Sequence, residues 1–299
     1  MEHTAHSAPL DPGSGLIERI VPLADGRRIR TVIAGDGPGP LVVFEAGMSA
    51  PAAEWLAVQR AVSASARTLS YDRSGYGGSD DDPHERTVER MAEDLADVLT
   101  AVGETGPVVL VAHSWGGPII RAFLHENPDR AAGIVLVDIS LAATTATRKQ
   151  VVLGRASFRL TSLMVRLGRA ATVMRMLLPR GFAPEFSADD VNIMMRDYAS
   201  SRAMRTGIRE VDQVLGVREK LEAWERAGLP DVPVIALQGG RVEKGAAARR
   251  FREEFNQRAR DSLASHPRAE VMIVEGAGHL IPQEKPGAVI AAVAAVNSA

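Results

Sequence analysis

The feature of this sequence that most constrains its fold is a set of short runs in which every residue is apolar. Such runs occur at residues 41–44, 108–111, 134–137, 234–237 and 271–274. A strand that is apolar on both faces must be covered on both faces, and strands of this kind are typical of a parallel sheet. The runs therefore predict a sheet that lies in the middle of the molecule.

Stretches with apolar residues at helical spacing separate these runs. They occur at residues 87–102, 115–125 and 286–296. Alternating strands and helices require right-handed crossover connections, so the sequence predicts an α/β fold with a doubly wound, mostly parallel sheet. Near the beginning of the chain, residues 16–22 and 27–34 instead predict an antiparallel hairpin.

The alternation of strands and helices stops between residues 141 and 228. This stretch has no strand signal and is helical in character, and strand-like runs flank it on both sides. We interpret residues 141–228 as a helical cap inserted into one core, which comprises residues 16–140 and 229–299. Residues 1–15 are expected to be a flexible tail.

The first half of the predicted cap is basic, because residues 139–184 contain no acidic side chain. Four arginines fall on one helical face, namely Arg155, Arg159, Arg166 and Arg169. Apolar residues fall mostly on another face, namely Leu153, Leu160, Met164, Leu167 and Val173. We interpret the pattern as a solvated basic face over a packed apolar face. The alternative is contact with a membrane surface or another anionic partner.

Composition excludes several classes of function. The chain contains no cysteine, which rules out disulfides, cysteine-bound zinc and a thiol nucleophile. Its formal net charge of −2 gives no reason to expect nucleic acid as a partner. Glycine loops for phosphates or dinucleotides and zinc-ligand spacings are absent from the sequence, so we expect no cofactor and no metal. No apolar run approaches the ~20 residues of a membrane span, and we expect a cytoplasmic protein.

Residues 108–117, Val-Val-Leu-Val-Ala-His-Ser-Trp-Gly-Gly, carry the chemistry. A strand ends, Ser114 occupies a sharp turn, and a helix follows. The backbone of a serine in such a nucleophile elbow is strained, so the residues two positions away must be small. Ala112 and Gly116 meet this requirement. The pattern predicts that Ser114 is a nucleophile.

Three further segments accompany this elbow. They are residues 44–48 (Phe-Glu-Ala-Gly-Met), 71–79 (Tyr-Asp-Arg-Ser-Gly-Tyr-Gly-Gly-Ser) and 274–279 (Val-Glu-Gly-Ala-Gly-His). Together, and in this order, the four segments resemble those of the alpha/beta-hydrolase superfamily. The resemblance runs from about residue 40 to the end of the chain, and only the cap matches nothing specific. It implies the alpha/beta-hydrolase fold and serine hydrolase activity.

The resemblance also implies roles for individual residues. A serine is a poor nucleophile at neutral pH and needs a base, for which His279 on its glycine-rich loop is the candidate. The backbone N–H groups of Met48 and Trp115 are expected to form the oxyanion hole. Gly47, with the Met48 side chain and the Trp115 ring, is expected to line the substrate pocket.

Two residues compete for the third position of the triad. Asp138 follows the apolar run at 134–137 and lies between two apolar residues, so it is expected to be buried. A buried carboxylate requires a partner, and a triad histidine would provide one. Glu243 has the commoner position in the superfamily, but it neighbours Arg241 and Lys244 and is typical of a surface helix start. We favour Asp138 and keep Glu243 as the alternative.

The expected activity is hydrolysis of a small to medium apolar ester or lactone through an acyl-enzyme on Ser114. The same triad also supports cleavage of amides or C–C bonds and perhydrolysis, so these chemistries stay open. A non-catalytic receptor for a small ligand is a further alternative. Serine rather than aspartate at position 114 argues against the haloalkane dehalogenases and epoxide hydrolases of the superfamily. The expected partner is a small apolar substrate, and the oligomeric state stays open.

Overall fold

The computed structural model describes residue 10 and residues 15–144, 146–178, 181–242 and 245–298. Within these residues, eight strands form one sheet. In chain order the strands are β1 (Ile17–Pro22), β2 (Arg28–Ala34), β3 (Val42–Glu45), β4 (Thr68–Tyr71), β5 (Val108–His113), β6 (Ala131–Val137), β7 (Val234–Gly239) and β8 (Ala269–Val274). Most of the predicted tail lies outside the described residues.

The spatial order of the strands is β1-β2-β4-β3-β5-β6-β7-β8. The pairs β1–β2 and β2–β4 are antiparallel, and every other neighbouring pair is parallel. The first pair is the predicted hairpin. The predicted fold class, a doubly wound and mostly parallel α/β sheet, is confirmed.

Strand β4 has no fully apolar run, because Thr68 and Ser70 interrupt it. Both side chains are nevertheless buried. The Thr68 hydroxyl donates a hydrogen bond to the carbonyl of Ala34 over 3.0 Å, and the Ser70 hydroxyl donates one to the Gln59 side chain over 2.7 Å. These bonds satisfy the buried hydroxyls, so a polar strand can occupy the interior of the sheet.

Eleven helices accompany the sheet in the described part of the chain. They are α1 (Leu56–Val62), α2 (Val88–Ala101), α3 (Gly116–Glu126), α4 (Arg148–Arg166), α5 (Ala170–Leu177), α6 (Ala188–Tyr198), α7 (Ser201–Gln213), α8 (Arg218–Ala227), α9 (Ala246–Leu263), α10 (Ile281–Glu284) and α11 (Pro286–Asn297). The spacing of apolar residues predicted three of these helices, α2, α3 and α11. Their observed bounds agree with the predicted ones to within about two residues.

The strands bury both faces, because their residues alternate between two apolar clusters. On one face, Leu110 of β5 and Leu136 of β6 belong to a cluster with residues of α2, α3, α8 and α9. On the other face, Val111 and Val135 belong to a cluster with residues of α1 and α11. Residues 108–112 of β5 and 131–137 of β6 are therefore all apolar, as is typical of parallel strands between two helical layers.

Helices α4 to α8 lie between β6 and β7, where the sequence predicts the cap. That this segment is a separate unit stays a prediction. The prediction that the apolar face is packed is wrong for α4. Leu153, Leu160 and Leu167 are 59%, 59% and 65% exposed. The reason is that α4 buries a different side, which carries Val151 and Phe158 and faces α7. Of the predicted packed residues, Val173 is buried.

In the part of the chain that the structure describes, no helix combines the length and the apolar character that crossing a bilayer requires.

Candidate active site

The turn between β5 and α3 holds Ser114 at φ 50°, in the left-handed region. Its N–H donates to the carbonyl of Val137 over 3.0 Å, which fixes the turn against the end of β6. A Cβ on Gly116 would lie 2.7 Å from the Glu45 carbonyl oxygen, so only glycine allows α3 to approach β3 this closely. The strained turn lifts the serine hydroxyl above the carboxyl edge of the sheet.

Ser114, His279 and Asp138 lie together at this edge. The Ser114 Oγ atom is 2.9 Å from Nε2 of His279, and Nδ1 of His279 is 2.7 Å from Oδ2 of Asp138. In the tautomer that these partners favour, Nδ1–H donates to the carboxylate and Nε2 accepts from the serine hydroxyl. The arrangement can move the serine proton to the imidazole and stabilise the resulting imidazolium.

The Asp138 carboxylate is fully buried and has three donors. Besides His279, the backbone N–H of Gly239 donates to it over 3.0 Å, and Nη1 of Arg252 donates over 2.7 Å. Burial acts to raise the pKa of Asp138, but the hydrogen bond and charge of His279 and the charge of Arg252 outweigh burial, so the pKa is lowered. The carboxylate is therefore ionised at neutral pH.

The alternative acid, Glu243, lies outside the described residues. Arg252 belongs to α9, 114 residues after Asp138, and no local sequence pattern connects the two. Sequence reasoning missed this arginine, since a single arginine on a long polar helix is typical of a solvated face.

The loop after β3 lies directly against the serine. A Cβ on Gly47 would lie 3.4 Å from Cβ of Ser114 and 2.9 Å from Nδ1 of His113. Among the described residues, no acceptor is hydrogen-bonded to the backbone N–H of Met48 or of Trp115. Two free N–H groups beside a nucleophile are the elements from which an oxyanion hole is built.

Arg73 supports this loop from beneath. Its guanidinium donates to the carbonyl oxygens of Ala46 and Gly47, each over 2.7 Å, and to the Glu45 carboxylate over 2.7 Å. It also forms an ion pair with Glu210 of α7 over 3.2 Å. All of these charged side chains are buried, so the loop is held by a paired network with little access to water.

A second buried pair, Glu54 and His113, lies below the serine. Nδ1 of His113 is 2.6 Å from Oε1 of Glu54, and Nε2 is 2.9 Å from the carbonyl oxygen of His279. The other carboxylate oxygen accepts from the N–H of Gly47 over 2.8 Å. The pair therefore connects the Gly47 loop to the loop that carries His279.

Two pKa shifts in opposite directions favour the charged forms of His113 and Glu54. Burial acts to lower the pKa of His113, but the Glu54 carboxylate outweighs burial and the pKa is raised. Burial acts to raise the pKa of Glu54, but His113 outweighs burial and the pKa is lowered. The sequence indicates only that His113 shapes the turn, and Glu54 carries no signal that could have singled it out.

A cavity of about 250 Å³ opens beside Ser114 and His279. Its walls are mostly apolar and include Met48, Leu178, Phe182, Met194, Tyr198 and Leu280. Of the predicted pocket residues, Gly47 and Met48 line it, but Trp115 does not. Trp115 is 2% exposed and packs in the core instead, in the apolar cluster that also contains Ile119 and Phe123 of α3.

The described residues contain no group of three or more histidine, aspartate or glutamate side chains that could hold a metal ion. The charged residues around the serine are paired with one another instead.

The chain is similar to several known proteins in sequence and in fold. A sequence profile described as the alpha/beta hydrolase family matches residues 42–293. The esterase YbfF of Escherichia coli is 24% identical over 226 residues, which is 75% of this chain and 80% of that protein. A putative carbamate hydrolase, RutD of Enterobacter cloacae, is 34% identical over 111 residues, which is 37% of this chain and 41% of that protein.

Epoxide hydrolase B of Mycobacterium tuberculosis is 30% identical over 122 residues, which is 39% of this chain and 34% of that protein. The matches to the first curated relatives cover only 15% to 41% of the length of those proteins.

Among solved structures, the protein Cfl2 of Burkholderia cenocepacia superposes with a TM-score of 0.73 at 20% identity, over 97% of this chain and all of that one. An esterase of Thermogutta terrifontis superposes with a TM-score of 0.65 at 22% identity, over 93% of this chain and 97% of that one. At these identities the likeness concerns the fold alone.

Proposed function

Because the chain belongs to the alpha/beta hydrolase family, we propose that it is a serine hydrolase acting on a small to medium apolar ester or lactone. The observation that carries the proposal is the continuous hydrogen-bonded series from Ser114 through His279 to Asp138, with distances of 2.9 Å and 2.7 Å. The series lies at the wall of an apolar cavity, where a substrate carbonyl can reach the serine hydroxyl.

In the first half of the reaction, Oγ of Ser114 attacks the carbonyl carbon while its proton moves to Nε2 of His279. The carbonyl oxygen becomes an oxyanion, which accepts hydrogen bonds from the N–H groups of Met48 and Trp115. The intermediate collapses, the bond to the alcohol breaks, and the alcohol leaves with the proton from His279. An ester between the acyl group and Ser114 remains.

In the second half, a water molecule gives a proton to His279 and attacks the acyl carbon. The second tetrahedral intermediate expels Ser114, which takes the proton back, and the acid is released. Asp138 holds the imidazole in the required tautomer and stabilises its positive charge in both halves. Arg252 donates to both oxygens of the Asp138 carboxylate and is proposed as a positioning residue.

The cavity supports the proposed substrate class. Its volume of about 250 Å³ suits a small acyl or alcohol group, and its walls are mostly apolar. The charged residues at its wall besides His279 are Glu54 and His113, which pair with each other. Epoxide hydrolysis, the activity in the name of one relative, is not proposed, because Ser114 occupies the position where that chemistry uses a carboxylate.

The direct test is a chain-length series of p-nitrophenyl esters with the Ser114→Ala variant. We expect the wild type to prefer short or medium acyl chains and the variant to lose about 10⁴-fold or more in kcat. A fluorophosphonate should label the wild type once, and Ser114→Ala should not react. Ser262→Ala, a change on α9 away from the cavity, is the matched control and should retain activity and labelling.

If Ser114→Ala retained full activity on every ester and the wild type resisted labelling, the proposal would be wrong. A triad that was labelled but turned over amides instead of esters would preserve the mechanism and replace the substrate class.

The acid is tested by comparing Asp138→Asn with Glu243→Gln. Asp138→Asn should lower kcat by about 10⁴-fold, because the amide favours the wrong histidine tautomer. Glu243→Gln should leave kcat unchanged. Loss of kcat by orders of magnitude in Glu243→Gln alone would transfer the role to Glu243.

A further inference from the structure

The solvent side of α4 carries an apolar strip, which we define as Val152, Leu153, Leu160, Leu163 and Leu167. Their exposed fractions range from 51% for Leu163 to 65% for Leu167. Met176 of α5, at 70%, is exposed as well. Isolated exposed leucines are normal on a protein surface, but five large apolar side chains on one side of one helix indicate an interaction site.

The strip is not the side by which α4 attaches to the protein. That side carries Val151, which is 5% exposed, and Phe158, whose ring lies against Gly207 of α7. A Cβ on Gly207 would lie only 2.8 Å from the Phe158 ring, so glycine is what allows the two helices to pack. The helix is already anchored, and the apolar strip is additional to that anchor.

Basic side chains surround the strip. The exposed cations of α4, α5 and the turn between them are Arg148, Lys149, Arg159, Arg166, Arg169 and Arg175. None of these six forms an ion pair with a carboxylate of the described residues, whereas Arg155 pairs with Asp212. At 3.6 residues per turn, Arg159 and Arg166 lie within about 60° of Leu163 around the helix axis. The apolar strip therefore has a basic edge.

Charge is also separated across the whole chain. Residues 139–184 contain eight basic and no acidic residues, so the rest of a chain with net charge −2 carries −10. A molecule with such a distribution turns its basic side toward an anionic surface and its acidic side away from it.

We propose that α4, together with α5, binds an anionic lipid surface. The apolar strip enters the boundary between headgroups and acyl chains, and Arg159 and Arg166 stay at the level of the lipid phosphates. The combination of leucines on one side and unpaired arginines at the edge matches the chemistry of an interfacial helix. The proposal concerns this surface alone and holds independently of the reaction at Ser114.

A second copy of the chain is the competing occupant of the strip. Two strips related by a two-fold axis would bring the basic edges of both copies together, and no acidic residue between 139 and 184 could compensate. Like charges in an interface oppose association. A lipid surface supplies the opposite charge, so the charge distribution favours it.

The proposed surface is close in the chain to a wall of the cavity at Ser114. Leu178, the residue after α5, lines that cavity together with Phe182. Binding through α4 and α5 would therefore hold the cavity wall close to the lipid boundary, from which an apolar substrate could be taken up.

The test is sedimentation of the full chain with vesicles of phosphatidylcholine alone or mixed with phosphatidylglycerol. We expect binding to the mixed vesicles only, weakened when salt rises from about 0.1 M to about 1 M. Arg159→Gln with Arg166→Gln should weaken binding about 30-fold, at about fivefold per basic residue. Leu160→Ser with Leu163→Ser should weaken it by about tenfold or more.

Matched controls change the same chemistry elsewhere on the surface. Arg258→Gln with Arg268→Gln removes two exposed charges, and Phe251→Ser with Met272→Ser removes two exposed apolar side chains. Both should bind like the wild type. The thermal midpoint and p-nitrophenyl ester turnover of every variant, measured without vesicles, should match those of the wild type, which separates lost binding from lost folding.

Three results would overturn the proposal. They are equal binding to neutral and anionic vesicles, unchanged binding of both α4 variants, and a dimeric wild type that Leu160→Ser with Leu163→Ser converts to a monomer. The last would assign the strip to a second copy of the chain.

Discussion

The two halves of the segment between β6 and β7 differ in how they attach to the core. Helices α6 and α7 insert carboxylates into it: Asp190 pairs with Arg60, and Glu210 pairs with Arg73 and Arg86. Helices α4 and α5 insert no charge and leave leucines and arginines in solvent. One half is held by buried ion pairs with the core, and the other by apolar packing together with the partly exposed Arg155–Asp212 pair.

The difference teaches that the placement of acidic residues decides which half supports the loops of the active site. Glu210 accepts from the Ser49 N–H over 3.3 Å and from Arg73, which holds the loop of Gly47. A helix outside the core sheet is thus part of the support of the proposed oxyanion hole. The first half, without any acid, has no comparable means of reaching the buried arginines.

The largest effect is expected from Glu210→Gln, which leaves Arg73 and Arg86 without a full counter-charge in the interior. The free energy of unfolding should fall by about 3–5 kcal/mol, and ester turnover should fall as the Gly47 loop loosens. Urea unfolding at neutral pH measures the first quantity. Asp212→Asn, on the same helix but in the exposed pair with Arg155, should cost about 1 kcal/mol or less.

The ion pairs of Glu210 with Arg73 and Arg86 should make the free energy of unfolding depend on pH. Burial acts to raise the pKa of Glu210, but Arg73 and Arg86 outweigh burial and lower it from the ordinary value of 4.5. A lowered folded-state pKa means that the stabilisation is complete above about pH 4.5 and is lost as pH falls through the folded-state value. The difference in unfolding free energy between wild type and Glu210→Gln should therefore shrink below pH 4.5. A constant difference down to acidic pH would contradict this assignment.

A smaller effect is expected from Asp190→Ala at the beginning of α6. The substitution removes both hydrogen bonds to Arg60, of 2.6 Å and 3.0 Å, and the bond from the Ser187 N–H that closes the capping box. Because Arg60 is partly solvated, the loss of unfolding free energy should be about 1–2 kcal/mol. Thermal unfolding measures it, with Asp189→Ala, an exposed neighbour, as the control.

The smallest effect is expected from Leu160→Ser with Leu163→Ser. Both side chains are more than half exposed, so the free energy of unfolding should stay within about 0.5 kcal/mol of the wild type. Val151→Ser, on the buried side of the same helix, should instead cost about 2 kcal/mol or more. Equal losses for both changes would show that the apolar strip is packed, and would remove the contrast between the two halves.

The features that were predicted correctly are those formed by residues that are neighbours in the sequence. The apolar runs gave the position of five strands, and the elbow around Ser114 and the glycine-rich loop of His279 stood out because each is contiguous in the chain. Strand β4 was missed, since its polar side chains are satisfied by partners that only the fold supplies.

The partners of the site could not be predicted because they come from distant parts of the chain. Arg252 lies 114 residues after Asp138, and Glu210 lies 137 residues after Arg73. Helical periodicity likewise showed that α4 has an apolar face, but periodicity does not show what covers a face. The prediction that the Trp115 ring lines the pocket was wrong for a related reason. The position of a residue at an elbow does not show in which direction its side chain points.

The Glu54–His113 pair has a consequence for the electrostatics of acyl transfer. The ring centres of His113 and His279 are 4.8 Å apart, so a lone imidazolium at position 113 would repel the positive charge that His279 gains in each half-reaction. The Glu54 carboxylate offsets this repulsion, because it pairs with the His113 ring and its negative charge opposes that of the imidazolium. Glu54 thus favours the protonated form of His113, which is hydrogen-bonded to the carbonyl of His279, directly beside the one ring whose charge must be free to change.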